Sequence, residues 1–258
     1  MASQRQAIIV TGAASGIGRA TARAFAARGW FVGGFDIDAS GLASLETELG
    51  RGAGMFQPLN IADRPAVEAV MKSFGDAADG RLDILFSNAG IDAKGTFADM
   101  VWERIVNVVN VNLLGSLAVI QTATPLLRAT ENSLCLSTAS ASAIFGTANL
   151  AVYSATKHAV RGLTEALSVE LAGDGIRVAD ILPGIVNTGM LPPQVKAQLP
   201  TEGLWRALPA ETIAETVWDA YHGEKLHWYV PEELAVFDVE ATTYPERLRD
   251  ARRSGVQV

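Results

Sequence analysis

Residue types that bind metals or form disulfides are scarce in this chain. It has one cysteine, Cys135, and three histidines among 258 residues. A single cysteine cannot form an internal disulfide. Within the apolar run SLCLS, we expect Cys135 to be a small buried residue in a reducing, cytoplasmic compartment. The histidines show no metal-ligand spacing, so no metal site is predicted.

Excess positive charge and long apolar segments are also lacking. Lysine and arginine number 21 against 28 aspartate and glutamate residues, which gives a net charge of -7. Nucleic-acid-binding surfaces need clustered positive charge, so this balance argues against such a partner. The start of the chain shows no signal-peptide pattern, and no apolar run has the length expected of a membrane span. We therefore expect no membrane association.

The chain does contain a regular alternation of β-rich runs and helical segments. Runs such as AIIVTG, WFVGGFDID, LDILFSNAG and SLCLSTAS are separated by amphipathic stretches. This alternation predicts parallel strands joined by right-handed crossovers. We predict one α/β domain over residues 1–258, a doubly wound, Rossmann-type parallel sheet of about seven strands between two helix layers. The second helix is expected to begin with Ser40 as its N-cap, and a helix over about 101–128 to break near 110–112.

A glycine-rich segment, TGAASGIG, joins the first predicted strand to the first helix. Gly12, Gly16 and Gly18 allow the backbone to approach a pyrophosphate closely, and the helix N-terminus favours negative charge. Glycines also serve ordinary turns, but the preceding strand and following helix favour a dinucleotide site.

Asp36 ends the second predicted strand, 18 residues after Gly18. Its carboxylate could accept hydrogen bonds from ribose hydroxyls and would repel a 2′-phosphate. The alternative, a turn or cap aspartate, suits Asp38 better. No lysine or arginine lies between Gly12 and Gly16, so the sequence predicts NAD rather than NADP.

Tyr153 and Lys157 lie four residues apart in VYSATKHAV, on one face of a helix predicted over about 150–171. This face could simply be solvated. Alternatively, a cation within about 4–6 Å would favour the phenolate of Tyr153. Such a tyrosine could serve as a general acid or base, although its ordinary pKa is near 10.

These motifs, with SNAG, NVNLLG, STAS, YSATK and PGIVNT, resemble the short-chain dehydrogenase/reductase family in their order and spacing. The resemblance covers residues 5–190 well and extends thinly to about 230. It implies a catalytic tetrad of Asn112, Ser140, Tyr153 and Lys157. Ser140 would orient the substrate oxygen, Asn112 would hold a proton-relay water, and Lys157 would lower the pKa of Tyr153 and bind the nicotinamide ribose. Ser137 and Ser142 have the wrong spacing for the serine role.

The resemblance also implies contacts with the cofactor and substrate. Besides Gly12, Gly16, Gly18, Asp36, Tyr153 and Lys157, the expected cofactor contacts are Ser15, Ile17, Ile37, Asn60, Ile61, Asn88, Ala89, Gly90, Thr138, Pro183, Gly184, Val186 and Thr188. Residues 189–209 are predicted to form a substrate lid. The expected substrate contacts are Ser142, Leu150, Ile185, Met190, Leu191 and Trp205. For Trp205, packing of the lid onto the body is an equal alternative.

The predicted function is an NAD-dependent oxidoreductase that interconverts a secondary alcohol and a ketone on a hydrophobic or cyclic small molecule. The alternatives are a nicotinamide-sensing regulatory protein without turnover and a sugar-nucleotide epimerase or dehydratase, which usually needs a larger C-terminal domain. By resemblance, a homodimer or homotetramer is expected. The family often has Asp-Gly-Gly after the last strand. Residues 231–258 depart from this pattern and leave the subunit geometry open.

Overall fold

Within residues 5–189, 191 and 193–254, which the computed structural model describes, seven strands form one parallel sheet. Their order is β3-β2-β1-β4-β5-β6-β7. The strands are β1 Ala7–Thr11, β2 Phe31–Asp36, β3 Gly54–Pro58, β4 Ile84–Ser87, β5 Leu134–Thr138, β6 Arg177–Pro183 and β7 His227–Val230. This order reverses direction between β1 and β4, so the predicted doubly wound sheet is confirmed.

Helices cover both faces of the sheet. They are α1 Gly16–Ala27, α2 Ala39–Leu49, α3 Arg64–Ala77, α4 Trp102–Val109, α5 Ser116–Arg128, α6 Ala151–Glu170, α7 Pro193–Lys196, α8 Ala210–His222, α9 Leu234–Thr243 and α10 Pro245–Arg253. In β1, Ile8 and Val10 belong to the core shared with α1 and α8, while Ile9 belongs to the core shared with α3 and α5. Burial on both faces explains why the strands are continuous apolar runs.

Helix α2 begins one residue earlier than its predicted cap. Its N-cap is Asp38, whose side chain accepts hydrogen bonds from the backbone N–H groups of Ser40 and Gly41. Ser40 therefore lies inside the helix, and the predicted cap at Ser40 is wrong. Asp38 rather than Ser40 is the N-cap because its carboxylate accepts hydrogen bonds from two N–H groups of the first turn that have no intrahelical partner.

A π-helical segment, Asn110–Gly115, interrupts the long helix between α4 and α5, as the sequence indicated. The whole stretch, Trp102–Arg128, has 27 residues and a mean hydropathy of 1.5 in its apolar window. By length and composition it could cross a bilayer, which corrects the expectation that no segment could. In this fold the stretch packs on the sheet, with Val119, Ala123 and Leu127 buried in the core. Core helices commonly meet the same two criteria, so the finding is weak evidence for a membrane span.

The atypical tail continues from β7 as α9 and α10. Leu234, Phe237 and Leu248 from the tail join a third core, which also includes Ala141 and Ile144 from the turn after β5. Apolar residues of α9 fall on all its sides, with Phe237 buried and Val236 exposed. The sequence therefore shows no amphipathic periodicity there, and the helix could not be predicted from that pattern.

Candidate active site

The glycine-rich loop lies beyond the carboxyl end of β1, as predicted. Gly12 has a φ of +75°, which only glycine adopts without strain. A Cβ added to Gly18 would lie 2.0 Å from the carbonyl oxygen of Gly12. The loop is thus folded so tightly that side chains at these positions are excluded, and α1 begins directly at its edge. A backbone surface at a helix N-terminus fits the pyrophosphate of a dinucleotide.

Asp36 lies at the carboxyl end of β2, beside this loop. Its two carboxylate oxygens accept hydrogen bonds from the backbone N–H groups of Ala14 and Asp38, each at 3.0 Å. Each oxygen has a further lone pair with which it could accept a ribose hydroxyl. The neighbouring Ile37 side chain is 74% exposed. This pair combines a negative charge with an apolar surface, which fits the adenosine half of a nicotinamide cofactor.

Asn88 connects the carboxyl ends of the central strands. Its Nδ2 donates to the carbonyl oxygen of Thr11 and its Oδ1 accepts from the Thr138 hydroxyl, both at 3.0 Å. The Thr11 hydroxyl accepts from the backbone N–H groups of Asn88 and Ala89. These bonds join β1, β4 and β5 into a rigid floor. Thr11 was not predicted from the sequence, although its position at the end of β1, directly before Gly12, indicates such a role.

Ser140, Tyr153 and Lys157 come together at the carboxyl end of β5. The Lys157 Nζ donates to the carbonyl oxygen of Thr138 at 2.6 Å and lies 5.7 Å from the centre of the Tyr153 ring. Burial lowers the pKa of Lys157 to about 8. The Ser140 Oγ accepts the backbone N–H of Ser142 at 3.1 Å, which orients the hydroxyl. These three tetrad positions therefore share one site.

The environment of Tyr153 differs from the expectation. Burial raises the pKa of the phenol, a hydrogen bond with Ser140 lowers it, and the charge of Asp92 raises it, with a net upward shift. The expected net lowering by Lys157 is therefore not found. Desolvation of the phenol is the largest cause of this shift, although the ammonium group of Lys157 lies 5.7 Å from the ring centre. Asp92 follows the SNAG loop and was not identified from the sequence.

Asn112 is buried in the π-helical segment. Its Oδ1 accepts the backbone N–H of Ile91 at 2.8 Å, and its Nδ2 donates to the Ile91 carbonyl at 2.9 Å and to the Thr156 hydroxyl at 3.2 Å. Both donor hydrogens of the amide are thus used. The side chain anchors the loop after β4 to α6, so a water at Asn112 would have to bind its backbone carbonyl or the remaining lone pair of Oδ1.

The other expected cofactor contacts differ in exposure. Asn60 is exposed, and its Oδ1 accepts the N–H of Ala62 at 3.0 Å. Ile61 is buried against Gly115, so its side chain faces the core. Thr188 lies against Gly16, because a Cβ added to Gly16 would come within 3.1 Å of it. The remaining expected contacts are Ser15, Ile17, Gly90, Pro183, Gly184 and Val186, all at or next to the carboxyl ends of β1, β4 and β6.

The expected substrate contacts are only partly placed for that role. Leu150, Ile185 and Leu191 are half-buried, and the Ser142 hydroxyl lies 3.2 Å from that of Thr147. The ring of Trp205 packs edge-on against Phe237 of α9 at 5.5 Å, which matches the packing alternative. Met190 lies outside the described residues.

No group of three or more His, Cys, Asp or Glu side chains is arranged to hold a metal in the described part of the chain.

Comparisons with known proteins agree on one family. A family model described as short chain dehydrogenase matches residues 6–199. The 3-oxoacyl-(acyl-carrier-protein) reductase FabG of Thermotoga maritima is 36% identical over 184 residues, which are 70% of this chain and 74% of that protein. Meso-2,3-butanediol dehydrogenase of Serratia marcescens is 32% identical over 193 residues, 74% of this chain and 75% of that protein.

A solved structure shares the architecture. The 3-ketoacyl-(acyl-carrier-protein) reductase from Brucella melitensis complexed with NADH superposes with a TM-score of 0.78 at 28% identity. The match covers 87% of this chain and 96% of the other.

Proposed function

The chain belongs to the short-chain dehydrogenase family, and from this premise we propose that it is an NAD-dependent oxidoreductase that interconverts a secondary alcohol and a ketone. One observation carries the proposal. Ser140, Tyr153 and Lys157 converge at the carboxyl end of β5, where a nicotinamide cofactor and a substrate oxygen would meet. When bound, the cofactor supplies or accepts the hydride.

Residues of the chain would bind this cofactor at three places. The loop from Gly12 to Gly18 would bind the pyrophosphate, and Asp36 the adenine ribose. Lys157, whose ammonium group is oriented by the Thr138 carbonyl, would donate to the nicotinamide ribose. Asp36 supports NAD over NADP because a 2′-phosphate beside its carboxylate would be repelled electrostatically.

Tyr153 would transfer the proton. Its raised pKa keeps the phenol protonated at neutral pH, so it can donate to the oxygen of a ketone as that oxygen gains negative charge. In the reverse direction the phenolate would accept the proton of an alcohol, and the positive charges of Lys157 and of a bound oxidised nicotinamide would favour that phenolate against the effect of burial. Ser140 would donate a hydrogen bond to the same oxygen and stabilise its developing charge. Asn112 would hold the relay water that returns protons to Tyr153 through Lys157.

The proposal extends to the substrate and the assembly. Half-buried Leu150, Ile185 and Leu191 support a hydrophobic or cyclic substrate under a lid over 189–209. An exposed apolar face on α4 and α5 supports a homodimer or homotetramer. The single buried cysteine agrees with a cytoplasmic location.

The first test follows NADH absorbance with a panel of hydrophobic secondary alcohols and ketones. Tyr153→Phe should lower turnover by about 100- to 10,000-fold, because it removes the proton donor. Tyr244→Phe, at an exposed tyrosine outside the site, is the matched control and should retain activity. Intact NAD binding without turnover over the whole panel would instead favour the regulatory alternative.

A second test addresses the cofactor. Asp36→Ala should reduce the ratio of kcat/KM for NAD to that for NADP by about 10- to 100-fold, the effect of losing a hydrogen bond to a charged group. A wild-type preference for NADP would contradict the proposal for Asp36.

A further inference from the structure

The catalytic helix α6 is joined to the tail helix α9 by a shielded ion pair. Arg161 lies one turn beyond Lys157, and its Nη1 and Nη2 donate to the two carboxylate oxygens of Asp238 at 3.1 and 2.6 Å. The Tyr229 hydroxyl of β7 donates to Asp238 as well. The side chains of Arg161 and Asp238 are only 19% and 11% exposed. A two-point contact of this kind fixes the orientation of both partners.

The same arginine reaches the turn that carries Ser140. Its Nη1 lies 3.5 Å from the carbonyl oxygen of Ala143, in the short 3₁₀ turn Ala141–Ala143. Beneath this polar contact, Phe237 of α9 packs in one apolar core with Ala141 and Ile144. The tail helix and the serine turn therefore share one apolar core, and Arg161 links that turn, α6 and α9.

Helix α9 also contacts the segment predicted to form the lid. The Trp205 ring packs edge-on against Phe237 at 5.5 Å. The Arg206 guanidinium pairs with Glu233, at the start of α9, at 3.0 Å. Helix α9 is thus linked to three segments near the candidate site. It shares a core with the serine turn, pairs with α6 through Arg161, and contacts the predicted lid through Trp205 and Arg206.

We infer that Asp238, acting through Arg161, is a positioning residue that holds the Ser140 turn in register with Tyr153. This inference rests on the proposed function. Breaking the pair leaves Glu165, whose carboxylate lies 3.3 Å from the Nε of Arg161 and is half exposed, as the remaining acidic partner of the guanidinium. Arg161 would then turn toward Glu165 and water and release Ala143. Displacement of Ser140 by a fraction of an ångström would weaken stabilisation of the transition state more than cofactor binding, because the glycine-rich loop and Asp36, which would bind the pyrophosphate and the adenine ribose, lie on other elements.

The activity test uses Asp238→Asn, which keeps the shape and removes the charge. We expect kcat/KM to fall by about 10- to 100-fold, the scale of a small misplacement at a reacting centre, while the Kd for NAD changes less than about twofold. Arg161→Lys keeps the charge but loses the two-point contact, and should give a smaller loss of the same kind. Glu240→Gln makes the same charge change on the exposed side of α9 and is the matched control.

A second measurement does not depend on turnover. Hydrogen exchange of residues 139–147 should become about tenfold faster in Asp238→Asn and stay unchanged in Glu240→Gln, because local opening follows the loss of local contacts. If the wild type turns over no substrate but this exchange pattern appears, the proposed activity fails and the positioning role stands. Unchanged exchange in 139–147, or an equal increase over the whole sheet, would overturn the inference.

Discussion

Lys157 carries an ionisable group in a place that water barely reaches. Its side chain is almost fully buried, and burial lowers its pKa from 10.5 to about 8. Near neutral pH the charged ammonium group therefore raises the free energy of the folded protein. Once the pH exceeds about 8, the folded protein releases the proton while the unfolded chain keeps it, and folding becomes more favourable.

This linkage predicts how stability changes with pH. Between about pH 7 and about pH 9.5, the wild type should gain about 2 kcal/mol of unfolding free energy relative to Lys157→Met, as a pKa shift of this size requires. Urea unfolding of both proteins at the two pH values measures the difference. The variant lacks the hydrogen bond to Thr138 at both pH values, so this loss does not change with pH. A difference in unfolding free energy between the two proteins that is the same at both pH values would therefore contradict the low pKa of Lys157.

The spacing of Tyr153 and Lys157 could be predicted from the sequence, but the surroundings of the phenol and the ammonium group could not. Four residues on a helix bring two side chains to one face whatever surrounds them. The pKa of the phenol depends on its desolvation, on a hydrogen bond with Ser140 and on the charge of Asp92, and these two residues come from other parts of the chain. For that reason the direction of the pKa shift at Tyr153 was wrongly predicted, although the residue itself was identified.

At the scale of elements, the π-helical segment is packed closely on its neighbour. A Cβ added to Gly115 would lie 2.8 Å from the Ile61 side chain and 3.1 Å from its carbonyl oxygen. The segment that carries Asn112 therefore sits directly on the loop after β3.

Gly115→Ala should move the π-helical segment and destabilise the fold by about 1–3 kcal/mol, the usual cost of overpacking. Gly162→Ala, in the middle of α6 with open space around the new methyl group, is the control. It should stabilise the protein by up to about 1 kcal/mol, since alanine favours a helix over glycine. Thermal unfolding of both variants measures the two effects. Equal shifts in the same direction would show that the contact with Ile61 does not matter.

The strands and α6 could be predicted because their sequence patterns follow from burial that is regular along the chain. Helix α9 could not, since the residues that share a core with Phe237 come from several distant segments, Trp205 and the serine turn among them, while Val236 and Val239 stay exposed. The pairing of Arg161 with Asp238 could not be predicted from the sequence for the same reason. Each is an ordinary surface-type residue in the sequence, and only the fold brings them together.

At the scale of the whole molecule, one surface is unusually apolar. Trp102, Val106, Leu114 and Leu117 are exposed on α4, the π-helical segment and α5, with Trp102 at 69% and Leu114 at 53%. Neighbouring apolar side chains of this size usually belong to an interface.

Leu114→Glu should therefore convert the proposed homodimer or homotetramer to a smaller species. A charge placed in an apolar interface is costly to desolvate. Light scattering coupled to gel filtration measures the mass. Thr47→Glu introduces the same residue on the exposed side of α2 and should leave the mass unchanged. A monomeric wild type would contradict the proposed assembly.

The ion pair between Arg161 and Asp238 spans 77 residues of chain. At about 5–20 residues per second, a ribosome adds that length in roughly 4–15 s. Throughout this interval the nascent chain already carries Asn112, Ser140, Tyr153 and Lys157, but not the helix that braces them. Helix α9 is thus synthesised after every acid–base group of the candidate site, so termination after β7 would yield these groups without the proposed brace.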